Sequence, residues 1–365
     1  MRRSTREIGG TRSCYENARG TLLASYLAMS TYFIRALALV ALPFVAALFV
    51  AACSGSTLST GGPSASTACA DSGAAYCAQL AKCSPVSMAE DYASMATCTS
   101  RGTQLCENSL AAPGTGATPE TTEACVAAYP TYSCADFDND VVPPACRPQV
   151  GVGATGVACA FAAQCLSAFC QIAKGSSCGT CEPAPGSGSS CAASNCPTGL
   201  HCATSTQTCM AYGAVGAPCS VNNDCGHGLD CVGANATLGT PGKCTAEVET
   251  AGAACDHALK TAPGCDPTLN LFCGKDETCD AYGTAASGEP CAYVNGANTY
   301  TYCTAGAICL ESMPDVGTCT GPAMDGAACD TVSDDGCLAP AVCVGTSVDG
   351  GVMGTCQIAS ATSCH

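Results

Sequence analysis

The chain has 365 residues, among them 36 Cys, 40 Gly and 20 Pro, with no Trp and 5% aromatic residues. Too few large side chains are present for a hydrophobic core of ordinary size, so covalent staples must replace it. The formal net charge is −16, and without residues 1–52 it is about −20, from 7 basic and 27 acidic residues. That balance excludes nucleic acid as a partner, because phosphate binding begins with neutralisation by Lys and Arg.

Residues 29–53 read MSTYFIRALALVALPFVAALFVAAC: a basic Arg35, an apolar run from Ala36 to Val50 broken by Pro43, then small residues. This is the layout of a secretory signal. With Ala51 and Ala52 the run reaches 17 residues, short of the ~20 that span a bilayer. Residues 1–28 carry five arginines, two glutamates and Cys14 ahead of an already complete signal, and read as a misassigned start or extended leader. Val50, Ala51, Ala52 and Cys53 resemble the lipobox of bacterial lipoproteins. That resemblance implies a signal peptide over 29–52, a Cys53 carrying diacylglycerol and palmitate, and, from Ser54 in place of Asp, an outer-membrane location. Residues 53–68, rich in Ser, Gly and Thr, read as a flexible tether. With Cys14 and Cys53 set aside, 34 cysteines remain, an even number compatible with 17 disulfides in an oxidising compartment.

Residues 69–147 hold eight cysteines and three helical patterns, and read as a disulfide-tied helical domain. Tyr76, Leu80 and Cys83 recur at i, i+4 and i+7 before Pro85; Tyr92, Met95, Cys98, Leu105 and Cys106 mark a second face. The third pattern opens with Thr118 as N-cap and Pro119 at N1, and stops before Pro130. Residues 151–365 carry about six cysteine-rich repeats, opening at Cys159, Cys191, Cys219, Cys255, Cys291 and Cys329, each unit led in by Gly, two residues, Cys. A five-residue gap recurs between 196/202, 225/231, 273/279, 303/309 and 337/343. Four cysteines allow three connectivities, and Cys364 is left for the fifth cysteine of the first unit or a local partner. The expected fold is therefore small and disulfide-rich: a short α-helical N-terminal module, then an elongated array of β-hairpin and loop cysteine repeats.

Cys159, Cys165, Cys170, Cys178 and, after two residues, Cys181 resemble the Dickkopf N-terminal-type cysteine-rich repeat. The layout over roughly 150–356 is similar to cysteine-rich lipoproteins of Gram-negative bacteria, with first gaps of 9 and 11 residues in later units as departures. The receptor binding of the animal proteins is not implied.

Enzyme motifs lack their context. Gly151-Val-Gly-Ala-Thr-Gly156 matches the dinucleotide fingerprint but follows Pro143, Pro144 and Pro148 and reads as a linker. Gly175-Ser-Ser-Cys-Gly179 spells G-x-S-x-G, but a nucleophile elbow needs a strand before Ser177 and a helix after it. The histidines 201, 227, 257 and 365 are scattered and read as surface residues. Asp136, Asp138 and Asp140 begin like a calcium loop that Val141 and Arg147 spoil, and read as a solvated turn. No catalytic, cofactor or metal residues are assigned. The segment from Tyr293 to Tyr302 offers Tyr293, Asn295, Asn298, Tyr300 and Tyr302 as a recognition loop, or as rings packed over disulfides. Tyr212 and Tyr282, in matching Ala-Tyr-Gly positions, read as repeat architecture.

The function these readings support is a surface-tethered, non-enzymatic structural or binding lipoprotein. It would be held to the membrane by its lipid anchor and would take a protein or glycan ligand. The alternative is a secreted-side enzyme or protease inhibitor acting through an atypical repeat loop.

Overall fold

The computed structural model describes residues 62–364, apart from 174–175, 192–194, 204–205, 236–237, 295–299, 314–315, 331–336 and 349–350. The signal segment, Cys53, Asn295, Asn298 and His365 lie outside the described residues.

Helix α1 (Ala65–Cys83) begins inside the expected tether, because Ser64 accepts a hydrogen bond from the Thr67 amide at 3.1 Å and caps it. The second helical pattern is two helices, α2 (Pro85–Tyr92) and α3 (Met95–Leu110). The break falls at Ala93, whose φ is +60°, and Ser94 caps the restart. Helix α4 (Pro119–Val126) starts at Thr118 with a reciprocal Thr118/Thr121 capping box. A fifth, short helix, α5 (Cys134–Asp138), follows Ser133 as cap.

Two rungs, Cys69–Cys106 and Cys77–Cys98, lie eight residues apart on each of α1 and α3 and fix them antiparallel. Between the rungs Gly73 faces Gly102, and a Cβ on Gly73 would lie 2.7 Å from the Thr99 carbonyl. Cys83–Cys134 ties α1 to α5, and Cys125–Cys146 ties α4 to the approach of the repeats. Cys77, Leu80, Met88, Tyr92 and Cys98 form the core, joined by Ala339 from the last repeat.

The six repeat units share one clasp, in which the first cysteine bonds the third and the second bonds the last. The pairs are 159–170 with 165–181, 191–202 with 196–209, 219–231 with 225–244, 255–273 with 265–279, 291–309 with 303–319, and 329–343 with 337–356. The third and last cysteines sit directly opposite one another on an antiparallel hairpin, as Cys231 does with Cys244, without being partners. Both sulphurs project from one face of the hairpin, so a single hairpin anchors both remaining cysteines of its unit.

Two glycine positions make the unit possible. The glycine three residues before each first cysteine has φ between +75° and +87° in all six units. Its amide donates to the carbonyl of the last cysteine at 2.7–2.8 Å, so the lead-in turn is locked to the hairpin. In the four three-stranded units a second glycine, 179, 242, 317 or 354, stands two residues before the last cysteine. A Cβ on Gly317 would lie 2.4 Å from Cys309 Sγ and 2.9 Å from Cys291 Sγ. Gly317→Ala is therefore expected to destabilise unit five by about 1–3 kcal/mol. Gly186→Ala, with nothing within 4 Å, should change little. Denaturant midpoints of the two oxidised variants check this, and equal midpoints would refute it.

The repeats do not run outward as an elongated array; they wrap the helical module. Unit one meets the α3–α4 loop where Gly116 N donates to Ala163 O at 2.7 Å and Gln164 Nε2 to Pro113 O at 3.1 Å. His227 N of unit three donates to Asn139 Oδ1 at 3.0 Å. Ala305 N of unit five donates to Ala89 O of α2 at 2.8 Å. In unit six the carbonyls of Leu338 and Ala339 both accept from Arg101 of α3. Adjacent units also join, as where the buried Asp230 accepts from Asn222 Nδ2 and from Gly264 N, both at 2.7 Å. Cys364 then bonds Cys178, the fourth cysteine of unit one in order, and closes the circuit. The physical reason is that such thin units cannot cover their own clasps, and the helical module supplies the missing surface. All 34 cysteines from 69 to 364 are bridged, as suits an oxidising compartment. Among the described residues no helix is long and apolar enough to cross a membrane.

Candidate recognition surface

Strand Gly283–Ala285, leaving unit four, pairs in parallel with Thr301–Cys303 of unit five, with Thr284 opposite Tyr302. This register brings Tyr282 beside Tyr302, their ring centroids 4.7 Å apart and nearly perpendicular. Tyr300 lies 4.6 Å from Tyr302, and Tyr293 lies 5.3 Å from Tyr300. Phe272 sits among all four tyrosines at 5.6–6.4 Å. Such separations are those of favourable edge and tilted aromatic pairs. Lys275 Nζ stands 4.0 Å over the Tyr293 ring.

Three of the five residues read as a recognition loop are thus brought together, and all five rings are half-buried rather than enclosed. Tyr282 keeps its repeat role while joining the cluster: it covers Phe272 as Tyr212 stacks on His201, the matching hairpin position, at 4.7 Å. Phe272 and Lys275 were missed. The available signal was the placement of Phe272 one residue before Cys273, where unit two has His201 before Cys202.

One carboxyl, Glu90, approaches this cluster from the helical module, with Asp91 beside it. Glu90 and Asp91, at the end of α2, are half-buried where the Ala89 and Glu90 carbonyls accept from the Ala305 and Gly306 amides. Burial pushes the Glu90 carboxyl up to about 8, with Asp91 adding repulsion, and pushes Asp91 up to about 6. Burial, and then Glu90 among other neighbours, raises the Tyr302 phenol; burial, the Tyr302 ring and Glu90 raise that of Tyr282. The arrangement offers ring faces for stacking, phenols for hydrogen bonds, and a Glu90 able to donate a proton in a hydrogen bond near neutral pH. A sequence reading had no route to Glu90, which is separated from Tyr302 by more than two hundred residues.

Other candidate groups are absorbed by the architecture. His201 is half-buried against Tyr212 with Asp224 Oδ1 at 3.3 Å, and the half-buried His227 has Nδ1 3.1 Å from Asp138 Oδ2, so neither is the surface residue expected; His257 is exposed. Of the three residues read as a solvated turn, Asp136 and Asp140 are exposed as expected, whereas Asp138 ends α5 half-buried against His227. Three-cysteine groups at the unit centres, such as Cys219, Cys225 and Cys231, have metal-ligand spacing, but their sulphurs are bonded in disulfides and offer no thiolate. Ser177 is buried beside Cys178 and is followed by strand Gly179–Cys181, not a helix. No family model, curated protein or solved structure matches this chain.

Proposed function

We propose that the protein is a lipid-anchored, non-enzymatic binding lipoprotein of the bacterial envelope, built from Dickkopf N-terminal-type repeats and acting outside the cytoplasm. The observation that carries the binding role is the half-buried tyrosine cluster at the junction of units four and five. Tyrosines on a covalently fixed scaffold provide contact area that loses little entropy on binding a protein or glycan. The lipobox-like Val50-Ala51-Ala52-Cys53 supports the anchor.

Two measurements test this. The intact mass of protein from its native membrane should begin at a diacylglycerol-bearing, acylated Cys53 and show 34 thiols only after reduction. The same protein should retain envelope glycans or proteins from a defined array, and Tyr293→Ala with Tyr300→Ala should weaken that retention by about tenfold or more. Retention unaffected by the double substitution would remove the cluster from the binding role.

A further inference from the structure

Among the described residues, sixteen of the 17 disulfides lie within the helical module or within one repeat unit, so opening any of them undoes local structure. Cys178–Cys364 differs in kind. It spans 186 residues, and unit one keeps both of its own clasps without it. Its two cysteines are both partly exposed, as are those of Cys125–Cys146; every other bridge has at least one cysteine buried. Exchange requires a thiolate to reach a sulphur, so exposure selects which bridges react.

The segment that carries Cys364 is lightly held. Beyond Ile358, which packs with unit six, the arm crosses α3, where Asn108 Nδ2 donates to the Ala359 carbonyl at 3.0 Å. It ends in the turn Ala361–Ser363, and Ala361 packs with Ala112 of the helical module and Ala160 of unit one, beside Phe161 and Cys364. Alanine contacts bury little area, so the bridge is the main tie of the arm to unit one.

We propose that Cys178–Cys364 is a redox-operated latch, opened selectively by a dithiol reductant to release the arm 359–364 from the seam between the helical module and unit one. One thiolate of the reductant attacks a sulphur of the bridge, forming a mixed disulfide and expelling the other cysteine as thiolate. The second thiol of the reductant resolves the mixed disulfide. Two electrons and two protons pass to the protein, which gains two thiols, and the reductant leaves as its disulfide. The seam around Ala112, Ala160 and Phe161 is then uncovered, while the other sixteen bridges hold the units. Exchange with an oxidised dithiol, the same step run in reverse, takes back the two electrons and protons and restores the closed circuit. The latch does not depend on the anchor or on the ligand of the tyrosine cluster.

The test is titration of the full-length oxidised protein with limiting dithiothreitol, followed by alkylation, peptide mapping and hydrogen exchange on the same samples. Cys178 and Cys364 should be alkylated together at least about tenfold faster than any other pair. Exchange should rise over 359–364 and around Ala160 while the hairpin amides stay protected. Prior or equal reduction of Cys125–Cys146 or of any repeat clasp overturns the proposal, as does unchanged exchange in the arm once the two thiols have formed. Cys178→Ser with Cys364→Ser should reproduce the open exchange pattern with sixteen bridges mapped intact. Scrambling of the remaining bridges in that variant would assign Cys178–Cys364 to folding and also overturn the latch.

Discussion

Arg101→Ala is expected to lower the stability of the oxidised protein by about 3 kcal/mol, chiefly because two buried carbonyls lose their charged donor. Arg101 is buried on α3 and grips Asp325 of unit six with two hydrogen bonds, at 3.1 and 2.8 Å. Its Nε and Nη2 also donate to the carbonyls of Ala339 and Leu338, the second at 2.7 Å. Truncation leaves both carbonyls and the carboxylate without this donor fork. Arg101→Lys should recover little, because an ammonium cannot serve a bidentate carboxylate and two carbonyls in one plane. Asp325→Asn should cost less, since that side chain is 41% exposed. Denaturant unfolding with disulfides intact gives the ranking, and hydrogen exchange should rise around Leu338 in the alanine variant. Equal stability of the alanine variant and the parent would remove Arg101 as the anchor of unit six.

The second large effect is on pH dependence. Burial is the main cause that raises Glu90 to about 8, Asp91 to about 6 and Asp230 to about 6. Between the unfolded and folded values the native state holds a proton that the unfolded chain has released. The slope of unfolding free energy against pH is therefore negative. These contributions are fully present below about pH 4 and are lost as pH climbs through 6 and then 8. Asp256 acts in the opposite sense: its oxygens accept from the amides of Thr261, Ala258 and Lys260, and the carboxyl is lowered to about 2. Its contribution is present above about 4 and fades as pH falls toward 2. Stability is thus expected to peak at mildly acidic pH. Glu90→Gln should match the parent below about pH 4 and exceed it increasingly toward pH 8, flattening a slope that partial exposure keeps below about 1.4 kcal/mol per pH unit. Parallel profiles for parent and variant would refute the assignment.

Much of the local structure was legible in the sequence, and the closure of the molecule was not. Thr118-Pro119 marked the start of α4, and the spacing of Tyr76, Leu80 and Cys83 marked one face of α1, because capping and periodicity are written in near neighbours. Cysteine parity matched the 17 bridges, and the five-residue gap marked the unit. The clasp itself was not readable, since spacing leaves three pairings open and the hairpin register that sets the third cysteine opposite the last is fixed only in the folded unit. Ala93 gave no warning of its left-handed conformation, so two helices read as one. The start of α1 at Ser64, capped through the Thr67 amide, was hidden inside the supposed tether. For the recognition surface, Tyr293, Tyr300 and Tyr302 were visible as a compositional oddity. Phe272 was signalled only by the hairpin position it shares with His201, whereas Glu90 and the parallel pairing that seats Tyr282 against Tyr302 arise from contacts between separate segments.

Closure of the six units around the helical module has a consequence for how such a chain can evolve. An open solenoid tolerates duplication or loss of a repeat, because each unit touches only its neighbours. Here every insertion would change a circumference already matched to fixed berths: Pro113 and Gly116 for unit one, Asn139 for unit three, Ala89 for unit five and Arg101 for unit six. A chain with one unit more or fewer would present Asp325 and Cys364 at the wrong places. The number of units is therefore expected to be inherited as a whole, with variation confined to the loops between cysteines and the repeats themselves no longer interchangeable.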